Sequence, residues 1–550
     1  MDGKVEASSK EADESLSIGS KRGGWISFPF FIGMVAGLSL ASAGIGGNLI
    51  VYLIKEFNIK SINAAQIVNV VVGSSNLLPI IAAILADSFF GSFSVAFTTS
   101  CVALLGTILL TLTATINSLK PHPCSNDSSI TCIPPTGIQY TVLYISIVLI
   151  SIGFGGSRFT AASLGANQFD KLEDQGTFFN WFFFTFYVAS GAALTGVIYI
   201  EDNLGWSLGF GICAVATFVG VVVFLSGYRF YRAEKPQGSA VLDLGRIFVA
   251  SVRKWKCKLS SRVEDYYVSS SGCGDSMIEV PTPPTPGKRL RFFNRATLIT
   301  DADLKSDGSI KKSSWKLCTV QQVEDFKKIF GILPLWSSSI FLATPIAIQS
   351  SVTVLQALAM DRSLGPHFKI PAGSVSVIVI ISTSIFLTFL DRVLLPCWHK
   401  ITGKTPMPLQ RIGVGHVLTV LGMVVSALVE SKRLKLVHVH VEMSVLWLFP
   451  QLVLVGIGEA FHFPGQVTFY YQQFPQSLKN TSTAMISMLI GIAFYLSTAL
   501  IDQVRRSTDW LPDEINHGKV DNVYWMLVMF GAINFVYYLL CSISYKYENV

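Results

Sequence analysis

Apolar positions along the chain gather into twelve long, nearly unbroken runs, separated by short polar breaks and one long one. The runs fall at about residues 26–53, 65–86, 94–116, 139–163, 178–200, 206–227, 329–356, 371–390, 410–429, 444–470, 482–501 and 522–544. About 20 apolar residues are enough for a helix to cross a bilayer. A membrane barrel would instead show alternation over about ten residues, which these runs lack. The pattern predicts an all-α membrane protein with twelve transmembrane helices. The first run is too long for a signal-peptide core, and eleven more follow it.

Six runs precede the polar stretch 229–328 and six follow it. The expected organisation is a disordered cytoplasmic tail over 1–24, a six-helix bundle over 25–228 and a cytoplasmic linker over 229–328. A second six-helix bundle follows over 329–545, with a short cytoplasmic tail at 546–550. Two six-helix halves around a central cavity, with the site near the midplane, is the layout of the major facilitator fold. Some channels and scramblases share the span count.

Composition agrees. Of 550 residues, 51% are hydrophobic and 14% charged, against about 25% charged in soluble proteins, and the mean hydropathy is +0.50. These values exclude a soluble globular enzyme, a disordered scaffold and a nucleic-acid binder. The net charge of +7 reports orientation before it reports partners. The stretch 229–328 holds 19 Lys and Arg against 11 Asp and Glu. The loop before the ninth run adds Arg392, Lys400, Lys404 and Arg411. Positive loops face the cytoplasm, so both termini are expected there.

The loop Lys120–Gly137 then faces outward. It carries Cys124 and Cys132, a candidate disulfide, and Asn126 in an Asn-Asp-Ser sequon, a candidate glycan site. Chance spacing is the alternative. A second sequon at Asn480 falls on the expected inner side and should be unused. The nine Cys form no CxxC pair or His/Cys metal spacing, so no metal and no cofactor is expected. No nucleophile–base pair or phosphate loop marks an enzyme.

Away from the ends of the apolar runs, two ionisable residues besides His stand out: Arg158 in the fourth and Glu459 in the tenth. A lone charge at the bilayer centre costs about 2.5–3.5 kcal/mol on insertion scales. Such charges persist when they pair or serve a site. The Arg158 guanidinium suits a planar oxyanion. Glu459 can take up a proton. A buried salt bridge that only stabilises one state is the plainer alternative. His462, three residues on, is expected to be a hydrogen-bonding neighbour of Glu459. Pro334, Pro345 and Pro464, with Gly456 and Gly458, mark places where freed backbone can line a cavity. Ser350 offers a neutral donor along the seventh run.

Several longer motifs then resemble one family. They are Phe178-Phe-Asn-Trp-Phe182, Gly153-Phe-Gly-Gly156, Gly165-Ala-Asn-Gln-Phe169, Trp206-Ser-Leu-Gly-Phe-Gly211, Trp315-Lys-Leu-Cys-Thr-Val320, Leu409-Gln-Arg-Ile-Gly413 and Gly456-Ile-Gly-Glu459. In order, and over nearly the whole chain from Gly24, they resemble the plant nitrate/peptide transporter family. That family belongs to the proton-coupled oligopeptide transporters of the major facilitator superfamily. Ala86-Asp87-Ser-Phe-Phe-Gly91 resembles the loop between spans 2 and 3 of that fold, with Ser92 where a basic residue is usual.

The departures from the family pattern are specific. Most members carry a Glu-x-x-Glu-Arg/Lys motif on span 1 that serves proton coupling; the matching positions here are Val35, Leu38 and Ser39. Arg158 stands where a Lys is usual, and the span 10 acid is kept as Glu459. A nitrate-contacting His corresponds to about Ile346, and a pocket Thr to Ser350. With Gly23-Gly-Trp-Ile-Ser-Phe-Pro-Phe30 and Arg158-Phe-Thr160, the loss resembles the nitrate excretion subgroup. That resemblance implies a plasma-membrane carrier moving nitrate or another small anion outward, with weak or altered proton coupling. Arg158 and Ser350 would bind the anion, and Glu459 would carry a proton or pair with Arg158. A carrier for chloride or a larger organic anion, or a non-transporting nitrate sensor, are the other readings.

Overall fold

A computed structural model describes residues 23–121, 134–232, 240–260, 262–267, 287, 289–300, 303, 315–366, 368–404, 406–474 and 479–546. Cys124, Cys132 and Asn126 lie outside the described residues. Among the described residues the fold is helical, with twelve helices long and apolar enough to span a membrane. They are α1 (Gly24–Lys55), α2 (Ser61–Phe90), α3 (Ser92–Thr115), α4 (Gly137–Ala166), α5 (Thr177–Asn203) and α6 (Trp206–Phe230). The second six are α7 (Val320–Leu358), α8 (Ala372–Thr402), α9 (Pro408–His438), α10 (Val445–Tyr470), α11 (Met485–Ser507) and α12 (Val520–Ser544). In hydrocarbon every backbone polar group must be satisfied within the segment, and a helix does this.

Within the first six, α1 packs on α5 and α6, α3 on α4 and α6, and α2 on α4. Within the second six, α9 packs on α10 and α12, α7 on α11 and α12, and α8 on α10. The Gly23 N–H donates to Phe230 O at 2.7 Å and the Gly24 N–H to Gln168 O at 2.8 Å. These bonds join the start of α1, the α4–α5 loop and the end of α6 at one face, called here the linker end.

Several helices outrun their apolar stretches. The helix of α7 has 39 residues, about 58 Å at 1.5 Å per residue, well beyond a hydrocarbon core of about 30 Å. It begins at Val320, inside the stretch expected to be linker. Thr319 and Gln322 form a reciprocal capping box there, which satisfies orphan backbone donors in a polar segment. A 14-residue linker helix, Ala240–Arg253, buries Ile247 and Ala250 against Phe293, Val323 and Phe326. Its end is tied down by Lys254, whose ammonium sits 2.8 Å from the Asp303 carboxylate. α8 continues to Thr402 and α9 to His438, also beyond their apolar runs.

The two halves meet mainly at the end away from the linker. Asp202, at the end of α5, accepts from Lys55 at 2.6 Å and, across the halves, from Arg362 at 3.4 Å. Asp513 accepts from Lys60 of the other half at 2.5 Å and from Arg505 at 3.0 Å. Arg505 also donates to Asn63 at 2.6 Å. Deeper in, the Ser74 and Tyr495 hydroxyls share a hydrogen bond of 2.6 Å, and Asn69 donates to Ser351 at 3.5 Å. Gly73 of α2 and Gly491 of α11 let these helices touch: a Cβ on Gly491 would lie 3.0 Å from the Gly73 carbonyl oxygen. Small residues permit such close helix contacts in membranes.

Candidate functional site

Arg158 lies eight residues from the linker end of α4, about 12 Å along the helix. It is exposed although it stands in the middle of an apolar run. Its guanidinium caps the Phe186 ring of α5, 4.0 Å from the ring centre. A cation over an aromatic face gains about 0.5–2 kcal/mol. The next residue, Tyr187, is 45% exposed. It lies within electrostatic reach of both Arg158 and Glu459. Glu459 is half-buried on α10 of the other half. Tyr187 is thus within reach of a cation of its own half and a carboxyl of the other.

The setting of Glu459 follows from glycine. A Cβ on Gly456 would stand 2.8 Å from both the Val379 carbonyl oxygen and the Ser382 side chain. Only glycine lets α8 approach α10 this closely. The approach brings Thr383 to donate to Gly456 O at 3.1 Å and sets its hydroxyl beside the Glu459 carboxyl.

The remaining sequence candidates fall elsewhere. Ser350 is exposed, with its hydroxyl donating to Ala347 O at 2.8 Å. It lies eight residues from the far end of α7, so it sits at a different depth from Arg158. Ile346 is half-buried against the main apolar core. Val35, Leu38 and Ser39 are buried in packing, so the space of three ionisable side chains is closed over. His462 is not a hydrogen-bonding neighbour of Glu459. It is 1% exposed, its Cβ lies against Gly415 of α9, and neither ring nitrogen has a hydrogen-bond partner among the described residues. Its i+3 position packs it against α9. Asn480 lies in the helix Lys479–Ser507.

Three further charged residues are buried where the apolar runs end. Glu430 and Arg433 of α9 are 0% and 1% exposed, and Glu201 of α5 is 1% exposed. Arg433 donates to both Glu430 oxygens at 2.7 and 2.8 Å, and Gln356 of α7 donates to Glu430 at 2.7 Å. Tyr524 of α12 donates to Gln356 at 2.9 Å. Arg433 further donates to Asn516 at 2.6 Å. This network binds three helices of the second half. Its residues sit just past the apolar runs, where a hydropathy reading ends the helix. The i, i+3 spacing of an acid and a base is the signal that marks them.

The far-end contacts hold the two halves together at that end. Asp202→Asn removes the carboxylate that joins Lys55 to Arg362 and should loosen them. At about 1 kcal/mol for such a pair, the open population rises about fivefold. The check is maleimide labelling of Ser351→Cys, buried beneath these contacts, in a cysteine-free background. An unchanged labelling rate would refute a gating role for them.

The sequence signature of the POT family matches residues 93–517. Among plant relatives, the chain is 50% identical to the NRT1/PTR family 2.6 protein of Arabidopsis thaliana, over 100% of this chain and 98% of that one. It is 51% identical to the NRT1/PTR family 2.7 protein of the same plant, over 98% of this chain and 96% of that one. The fold is similar to the crystal structure of an auto-inhibited POT family peptide transporter, with a TM-score of 0.69 at 16% identity, over 95% and 98% of the two chains. It is also similar to the POT family transporter PepTSo, with a TM-score of 0.66 at 16% identity, over 95% and 98%.

Proposed function

The chain belongs to the POT family of membrane transporters, and on that premise we propose that it carries nitrate out of the cell across the plasma membrane. One observation carries the reading: an exposed, permanently charged Arg158 lies deep between two halves that are joined at the far end. A monovalent oxyanion needs one such cation and a few neutral donors. Arg158 takes the anion at the linker side, assigned to the cytoplasm by the basic linker. Ser350 offers a hydroxyl further along the path.

Alternating access then requires the far-end contacts to part while the linker side closes. Glu459 and the anion compete for Arg158, and Tyr187 lies within electrostatic reach of both charges. Peptide binding would need groups for both termini, and the span 1 carboxylates and base are replaced by packed Val35, Leu38 and Ser39. An inside-negative potential favours anion exit by about 2.3 kcal/mol per charge per 100 mV. Outward transport therefore needs no stoichiometric proton drive.

The test is efflux of labelled nitrate from preloaded proteoliposomes, with potential and pH gradient set independently. Efflux should follow the potential. Efflux of chloride or an organic anion without nitrate would move the substrate. Binding without flux would make the protein a sensor and refute the carrier.

A further inference from the structure

One buried carboxyl lies outside the site just described. Glu201, two residues from the end of α5, is 1% exposed, and so is Asn48 of α1. The Asn48 amide nitrogen donates to Glu201 Oε2 at 3.0 Å. Glu201 Oε1 and Asn48 Oδ1 are both buried without a hydrogen-bond partner among the described residues. Two orphan acceptors thus belong to two groups that one hydrogen bond already joins. Gly209 of α6 seals the pocket, because a Cβ there would collide with Glu201 Cγ.

An ionised carboxylate wants several donors or a cation, and burying it without them costs several kcal/mol. The charged and titratable groups around Glu201 supply neither. Lys55 of α1 and Arg362 of the α7–α8 segment are bound to Asp202. Asp202 and the Cys213 thiol of α6 both lie within electrostatic reach of Glu201, and neither is a cation. From the start of α8, Gly373 faces Asn48 and brings no titratable group. A single proton on Oε1 resolves the arrangement. A carboxylic acid and a carboxamide can close a ring of two hydrogen bonds, each group donating one and accepting one.

We propose that Glu201 is a proton-binding site, neutral while the far-end gate is closed, with its proton on Oε1 donated to Asn48 Oδ1. Uptake forms one O–H bond and cancels one negative charge. Release returns the proton to water at the far end when the gate parts and wets the carboxyl. Asp202, the next residue, holds that gate, so proton occupancy and gate position are linked through adjacent side chains. The release half rests on the alternating access proposed above; the bound proton does not.

Infrared difference spectra of the reconstituted protein, titrated from neutral to alkaline pH, read the carbonyl band of a neutral carboxyl. The band should be present at neutral pH, remain in Glu459→Gln and vanish in Glu201→Gln. Glu201 should hold its proton at least about 100-fold more tightly than an exposed glutamate, whose pKa is about 4.3. Gln can make both hydrogen bonds to Asn48, so the variant keeps the packing. If it fails to fold, the Glu459→Gln protein still decides: absence of a protonated-carboxyl band there at neutral pH overturns the site. Glu201→Gln should also flatten the pH dependence of flux, and a retained dependence overturns the release half. A band without nitrate flux upholds the proton site and sinks the substrate reading; flux without the band does the reverse.

Discussion

Arg158→Ala should cut nitrate flux by roughly 10- to 150-fold. A hydrogen bond to a charged group contributes about 1.5–3 kcal/mol, and each 1.4 kcal/mol is a factor of ten in binding. The side chain is exposed and stacks on the Phe186 ring, so its loss should leave the bundle folded. Arg158→Lys keeps the charge but not the planar fork, and should fall between wild type and Ala. Glu459→Gln, in contrast, removes the competitor for Arg158 and should tighten anion binding. The measurement is initial-rate efflux at clamped potential, normalised to protein recovered in the liposomes. Wild-type flux from Arg158→Ala would remove the cation from the mechanism and with it the anion reading.

The second large effect concerns folding. Glu430→Leu leaves Arg433 as an unbalanced charge sealed among α7, α9 and α12. Breaking a buried pair from one side costs about 3–5 kcal/mol. Arg433→Leu should cost about the same. The double variant should recover much of the loss, because replacing a whole buried ion pair with apolar side chains is often near neutral. The double-mutant cycle isolates that coupling. It is read as the change in unfolding midpoint of the purified protein in detergent. Single variants that unfold like wild type would mean that the network carries no stability. Neither residue touches the proposed anion path, so surviving protein should transport at the ordinary rate.

These two predictions differ in how visible their residues are along the chain. Arg158 and Glu459 interrupt apolar runs, where a charge is costly enough to stand out. Glu430 and Arg433 follow the apolar run of α9, among Ser431, Lys432 and Lys435, and read as a polar loop. What holds them inside is a set of groups far off in the chain: Gln356, 74 residues from Glu430, Asn516, 83 residues from Arg433, and Tyr524, which donates to Gln356. Glu201 is hidden in the same way, one residue past the apolar run of its helix, and its partner Asn48 is 153 residues distant. His462 shows the opposite error. Its spacing from Glu459 suggests a shared face, but it packs against α9 at Gly415.

Length and hydropathy by themselves determined the twelve crossings and their grouping in two sets of six. The cost of an unsatisfied backbone in hydrocarbon leaves a long apolar segment no other stable form. The family motifs are likewise written in the chain. Only the tertiary structure decided where helices end beyond their apolar stretches, since buried charges survive there through partners on other helices. It also decided that the halves meet at the far end, and that Tyr187 comes within electrostatic reach of both Arg158 and Glu459. Those outcomes depend on contacts between residues far apart in sequence, on glycines that let helices touch, and on pairs that offset desolvation. None of these leaves a periodic trace in the order of residues.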